Sequence, residues 1–139
     1  MYYLKTEASF DAAHFLKDYE GKCGNLHGHR WRITAEIRGE KLREDPQERG
    51  MLMDFGTVKK VLKDMADSFD HALIIEAGSL KDSTLSALKE EGFRIVQLPF
   101  RPTAENFARW FYEALAEKGF PMHRVEVYET PGNMAAYEL

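Results

Sequence analysis

The tripeptide His27-Gly28-His29 places two imidazoles two residues apart, and on an extended chain side chains at that spacing point to the same side. Same-side histidines can share a metal ion, and Gly28 leaves the opposite side of the strand uncrowded. A third histidine ends an earlier segment in which Tyr2, Leu4, Thr6, Ala8, Phe10, Ala12 and His14 share one parity. If the two segments are neighbouring strands, His14, His27 and His29 form a three-histidine site. Three neutral nitrogens suit zinc and leave a fourth position for water or substrate, which is the catalytic form of a zinc site. The competing reading is three hydrogen-bonded, partly buried histidines with no metal.

Four further positions carry chemical potential. Cys23 precedes His27 by four residues, so a cation at the histidines would favour its thiolate and make it a base or nucleophile. It could equally be a packing residue, or a fourth ligand that closes the site. Asp70-His71 follows a helical pattern directly; an Asp beside a His can hold its tautomer and support proton transfer, while local capping is the plain alternative. Glu129 shares parity with Val125 and Val127 and so falls on the buried-looking face of its strand. A carboxylate there needs a partner, either a guanidine-like ligand edge held by paired hydrogen bonds or a buried salt bridge. His123, with no sequence partner, reads as a surface or core residue.

The elements that must position these residues follow from periodicity. Residues 2–14 read as one strand and 27–38 as a second, where His29, Trp31, Ile33, Ala35 and Ile37 alternate with polar residues. A charged connection from Gly39 to Gly50 leads to an expected short strand at Met51-Leu52-Met53, closing a hairpin. From Thr57 the spacing of Val58, Val61, Leu62, Met65 and Phe69 predicts an amphipathic helix. Residues 80–91 predict a shorter helix ended by Gly92, followed by a strand over 93–98. Thr103 is an expected N-cap, with Glu105 in the first turn of a helix that Gly119 stops. Strands at 123–129 and 134–139 flank a Pro131-Gly132 turn. The order predicts one α+β domain over residues 1–139, an antiparallel sheet with two main helices on one face.

Composition narrows the partners. The chain has 139 residues, 44% of them hydrophobic, enough to fill a single core. The net charge of -4 lacks the basic field that grips a phosphate backbone, so nucleic acid is excluded in favour of a small ligand. One cysteine forms no internal disulfide. The first residues lack a secretion signal and no apolar run reaches membrane-spanning length, which places the chain in the cytoplasm.

Taken together, Phe10-Asp11-Ala12-Ala13-His14, Cys23-Gly24-Asn25-Leu26-His27-Gly28-His29, Met53-Asp54-Phe55, Asp70-His71, Pro102-Thr103-Ala104-Glu105-Asn106 and Val127-Tyr128-Glu129-Thr130 resemble, in order, the 6-pyruvoyl-tetrahydropterin synthase superfamily. The resemblance implies the tunnelling fold, in which sheets of several subunits join into a barrel with helices outside and active sites between subunits. A homo-oligomer, a hexamer, is implied. Carried over by motif, His14, His27 and His29 are implied zinc ligands, one ion per subunit, and Cys23 the catalytic base. Asp70 and His71 are implied as its relay partners, assembled across a subunit contact, Glu129 as the pterin anchor, and Thr103 and Glu105 as lining of the pterin pocket.

The Cys-x-x-x-His-Gly-His spacing is similar to that of the 6-carboxytetrahydropterin synthases of the queuosine route, zinc lyases acting on dihydroneopterin triphosphate. The animal biopterin enzymes usually have two more residues in that interval. Members that cleave dihydroneopterin for folate carry a Glu where this chain has Gly24. The alternatives are a 6-pyruvoyl-tetrahydropterin synthase, which eliminates triphosphate without cleaving the carbon chain, and a non-catalytic zinc- or pterin-binding module. The stretch from Ile75 to Phe100 is longer than in compact members, a difference that bears on oligomer packing and the pocket rim.

Overall fold

In a computed structural model of residues 1–139, β1 (Tyr2–His14) and β2 (His27–Gly39) pair antiparallel along their whole lengths, from Tyr2 opposite Gly39 to His14 opposite His27. This register puts the apolar parity of both strands on one face. Leu4, Phe10 and Ala12 bury there beside Trp31, Ile33, Ala35 and Ile37. The ladder continues through β5 (Met122–Thr130), whose Val125 and Val127 oppose Ala35 and Ile33, to β6 (Asn133–Tyr137). Two helices cover the face. α1 (Phe55–Asp67) contributes Val58, Leu62 and Ala66, and a later helix over Ala104–Glu117 contributes Phe107, Ala108, Phe111 and Leu115 to the same core. Phe107 stands edge-on to Trp31 with ring centres 5.2 Å apart, so aromatic packing joins the second helix to the middle of β2.

The sheet is not wholly antiparallel. β3 (Ala72–Glu76) pairs parallel with β1 at Ala12 and Ala13, and β4 (Ile95–Leu98) pairs parallel with β3, giving the order β4-β3-β1-β2-β5-β6. The chain leaves the end of β2, crosses the core face as α1 and returns to the free edge of β1 in the same direction, which dictates parallel pairing. A second crossover through α2 (Asp82–Glu90) repeats this, so the helix over Ala104–Glu117 is α3. The long 75–100 stretch is therefore a helix-linked extension of the sheet. α2 has no buried residue and adds little to the core.

The expected strand at Met51–Met53 is absent. Both edges of β2 are already occupied, by β1 and β5, so the returning chain has no ladder to join. The segment is instead a loop pinned by backbone bonds from Arg43 N–H to Met51 (2.8 Å) and from Gly50 N–H to Arg43 (3.0 Å). Leu52 lies so close to Gly39 that a Cβ there would sit 2.5 Å from its methyl carbon. α1 begins slightly before the periodic run because the Asp54 carboxylate accepts the Gly56 N–H at 2.7 Å and caps it. No helix is long and apolar enough to cross a membrane.

The opposite sheet face is charged, and one of its carboxylates is buried. Glu126 accepts hydrogen bonds from Lys5 Nζ at 2.6 Å and Thr34 Oγ1 at 2.8 Å, with Arg124 Nε 3.4 Å from its other oxygen. Burial alone would raise this carboxyl, but those hydrogen bonds and cations hold it below its ordinary value of 4.5. A carboxylate depressed on folding contributes stability above its unfolded value and loses it as pH falls through the folded one. Glu126→Gln should cost on the order of 1 kcal/mol at pH 7, with the gap to the parent shrinking below pH 4.5. Urea unfolding of both proteins at pH 7 and pH 3 checks this; a gap independent of pH would remove the charge from the explanation.

Candidate metal centre

The β1–β2 register delivers the three histidines to one place. His14 and His27 are directly opposed and His29 faces Ala12, all on the helix-covered side at the end of the sheet. Their ring centres lie 4.6, 4.8 and 5.1 Å apart, and one ring nitrogen from each falls within a sphere of mutual distances below 4.8 Å. Trp31, fully buried, forms the floor, edge-on to His14 at 4.8 Å and to His29 at 5.5 Å. Backbone carbonyls set two of the tautomers. His14 Nδ1 donates to the Pro102 carbonyl at 2.9 Å and His27 Nδ1 to that of Asn25 at 2.7 Å, so each Nε2 carries a lone pair.

These nitrogens have no protein partner to satisfy them. Nε2 of His14 and of His29 are buried and make no hydrogen bond, a state that costs roughly 1–3 kcal/mol per group when nothing else engages it. Burial, aided by the neighbouring histidines and opposed by the Pro102 carbonyl, pushes the His14 imidazole from 6.5 down to about 4. His29 is lowered too, chiefly by burial. Neutral, unpartnered nitrogens converging on one point are the donor set of a metal, and the residues present fit one.

The other expected site residues fall into two groups. Glu129 extends from β5 on the same face, its Oε1 3.3 Å from His14 Nε2 and 3.6 Å from His29 Nε2. It shares a cleft of about 180 Å³ with Thr103 and Glu105, walled by Leu16 and Met134. Thr103 caps α3 by accepting the Asn106 N–H at 3.2 Å, which places Glu105 in the first turn. Cys23 sits half-buried on a short 3₁₀ turn, Lys22–Gly24, between the histidine-bearing strands. Its thiol is not among the clustered ligand atoms.

Asp70 and His71 do not join this cluster. His71 is mostly exposed, its Nδ1 2.8 Å from the Asp70 carboxylate, and it lines a cleft of about 670 Å³ with Ala13, Leu73, Phe93 and Arg94, a cleft that His29 also borders. The Asp11 N–H donates to Asp70 at 2.8 Å while the His71 N–H donates to the Asp11 carbonyl at 2.6 Å, tying the pair to β1. The Asp11 N–H first, and then the His71 ring, hold the Asp70 carboxyl below its ordinary range. His71 itself adopts a left-handed backbone, φ 55°, which costs a non-glycine residue energy and needs such anchoring.

Sequence reasoning missed the residues that hold these groups. Pro102 acts through its carbonyl, which no residue pattern reveals. Arg94 reads as an ordinary strand cation, yet its guanidinium donates to the carbonyls of Asp70 (2.8 Å), Ser68 (2.7 Å) and Asp67 (3.2 Å), closing the end of α1 just before His71. Arg101 donates to the Lys17 carbonyl at 2.7 Å and steadies the loop that carries Cys23. Arg94→Ala should lower stability by about 1–3 kcal/mol and shift the His71 ring resonances while leaving metal content unchanged. Arg94→Lys should recover only part, because an ammonium cannot span three carbonyls as a fork does. Unfolding curves and histidine NMR read both effects.

Comparison with known proteins agrees with this architecture. The chain is 32% identical over 141 residues to the 6-carboxy-5,6,7,8-tetrahydropterin synthase of Haemophilus influenzae, covering 99% of each. It is 33% identical to the enzyme of that name from Synechocystis, covering 99% of this chain and 93% of that one. The structure superposes on an uncharacterized Wolinella succinogenes protein with a TM-score of 0.79 at 21% identity, covering 99% and 97% of the two chains. It also superposes on the 6-pyruvoyl tetrahydropterin synthase of Caenorhabditis elegans with a TM-score of 0.68 at 26% identity, covering 99% and 95%. The family profile of 6-pyruvoyl tetrahydropterin synthase matches residues 3–139, and the chain belongs to that family.

Proposed function

We propose that this chain is a zinc-dependent 6-carboxytetrahydropterin synthase, converting 7,8-dihydroneopterin triphosphate to 6-carboxy-5,6,7,8-tetrahydropterin with release of acetaldehyde and triphosphate, in the route to queuosine. The observation that carries the reading is the cluster of His14, His27 and His29, two of whose buried nitrogens lack any partner, in a chain whose relatives bear that enzyme's name. When bound at these histidines, zinc supplies an electrophile that stabilises negative charge developing on the substrate's side-chain oxygens.

The protein's own groups do the rest. Glu129 orients the pterin by accepting hydrogen bonds from its guanidine-like edge, within the cleft shared with Thr103 and Glu105. Cys23 takes a proton from the carbon next to the held oxygens, and Asp70 with His71 relays that proton. Asp70 and His71 are not among the clustered ligand residues, and the reading includes a homo-oligomer, a hexamer, with the relay supplied to a neighbouring subunit's site. The reading keeps the enzyme in the cytoplasm.

Gly24 argues against the folate-type reaction. A Cβ at this position would sit 2.6 Å from the Tyr19 carbonyl oxygen, so the loop as folded has no room for a glutamate side chain there. The deciding experiment is mass spectrometry of products after anaerobic incubation of zinc-loaded protein with dihydroneopterin triphosphate. Carboxytetrahydropterin with acetaldehyde is expected. A pyruvoyl product would move the chain to the biopterin-type reaction, and unchanged substrate would make it a binding module.

A further inference from the structure

Glu129 stands closer to the histidines than a group serving only the pterin needs to. Its Oε1 lies 3.3 Å from His14 Nε2 and 3.6 Å from His29 Nε2, yet neither nitrogen has a hydrogen-bond partner. The His14 ring cannot donate in that direction while its Nδ1–H is committed to the Pro102 carbonyl and the ring is neutral. Lone pairs on the His14 nitrogen and the carboxylate oxygen therefore face one another, and such an arrangement is favourable only with a cation between them. Toward His14 and His29 the spacing is close to that of shared coordination, since bonds of about 2.0–2.1 Å in a tetrahedron give donor-to-donor edges of roughly 3.3 Å. The carboxylate stands outside the group that includes His27 and would close on it as an ion binds.

The same side chain has a second place to go. It is 30% exposed and borders the cleft lined by Thr103 and Glu105, so a modest rotation would turn the carboxylate from the histidines toward a ligand there. We propose that Glu129 is the fourth ligand of the metal while no pterin is bound, and that it yields the position when a pterin draws its carboxylate into the cleft. This inference rests on the reading of the histidine cluster as a zinc site. Substrate entry and the opening of a coordination position are then one event, and the resting site holds no loosely bound water.

The test loads the full chain with Co2+ in place of zinc and compares the parent with Glu129→Gln and Glu129→Ala, reading the visible absorption of the ion and its affinity against a chelator. Both variants should bind cobalt about tenfold or more weakly and show an altered spectrum. Saturating neopterin, its binding followed by its own fluorescence, should move the parent's spectrum toward that of pterin-free Glu129→Gln. Identical spectra and affinities in all three proteins would overturn the ligand role, and a parent spectrum unmoved by bound neopterin would overturn the exchange. Neither readout uses turnover. A parent that bound cobalt through Glu129 but left dihydroneopterin triphosphate intact would sink the synthase reading alone.

Discussion

A His27→Ala chain is expected to lose its metal and its turnover together while keeping its fold. His27 is half-exposed and lies outside the apolar core, with its Nδ1 bonded only to the Asn25 carbonyl two residues away. Removing it therefore leaves the sheet and both covering helices intact. What disappears is one of three nitrogen donors. Spread over its ligands, a protein zinc site's binding free energy comes to roughly 3 kcal/mol each, so the affinity should fall about a hundredfold or more. Metal analysis after dialysis, beside thermal unfolding of the metal-free proteins, separates the two effects. His14→Ala should lose metal as well but also stability, because His14 is 1% exposed and packs on Trp31. A His27→Ala protein that kept one ion per chain would show that the cluster is not the metal site.

Cys23→Ala should give the opposite pattern, full metal content with turnover reduced by about 10²- to 10⁴-fold, the usual contribution of a general base. The thiol is absent from the group of three converging histidine nitrogens, which are expected to hold the metal without it. Nor does the loop. The Leu16 N–H donates to the Cys23 carbonyl at 2.9 Å and the Gly24 N–H to that of Gly21 at 3.1 Å, backbone bonds that alanine preserves. The measurement is steady-state turnover of the zinc-loaded protein with metal content determined on the same sample. Normal turnover in Cys23→Ala would reassign the base.

What could be read from the residues was whatever local periodicity controls. The alternation in 2–14 and 27–38 fixes which side chains share a face, so the meeting of His14 with His27 and His29, and the placement of Glu129 beside Val125 and Val127, were legible in the sequence. The helices of 55–67 and 104–117 were visible for the same reason. The partner of a strand is not a local property. Ala72–Glu76 is five residues long and is recognisable as a strand only once β1 offers it an edge, and the parallel sense of β3 and β4 follows from crossovers rather than from composition. Met51–Met53 failed for the converse reason, since its pattern was acceptable and its ladder was full. Cys23 was readable as a sequence neighbour of the histidines, but the 3₁₀ turn that carries it was not.

The full-length register of β1 and β2 makes the metal centre a test of strand alignment. Sliding one strand by a single residue would send its histidines to the charged face, and sliding it by two would keep the face but carry them about 6–7 Å along the ladder. Either way the three nitrogens part company. Ion binding at these histidines would reward one alignment among the several that alternating strands of this length permit, so a newly made chain that captured an ion there would thereby have certified the pairing on which the rest of the sheet is built.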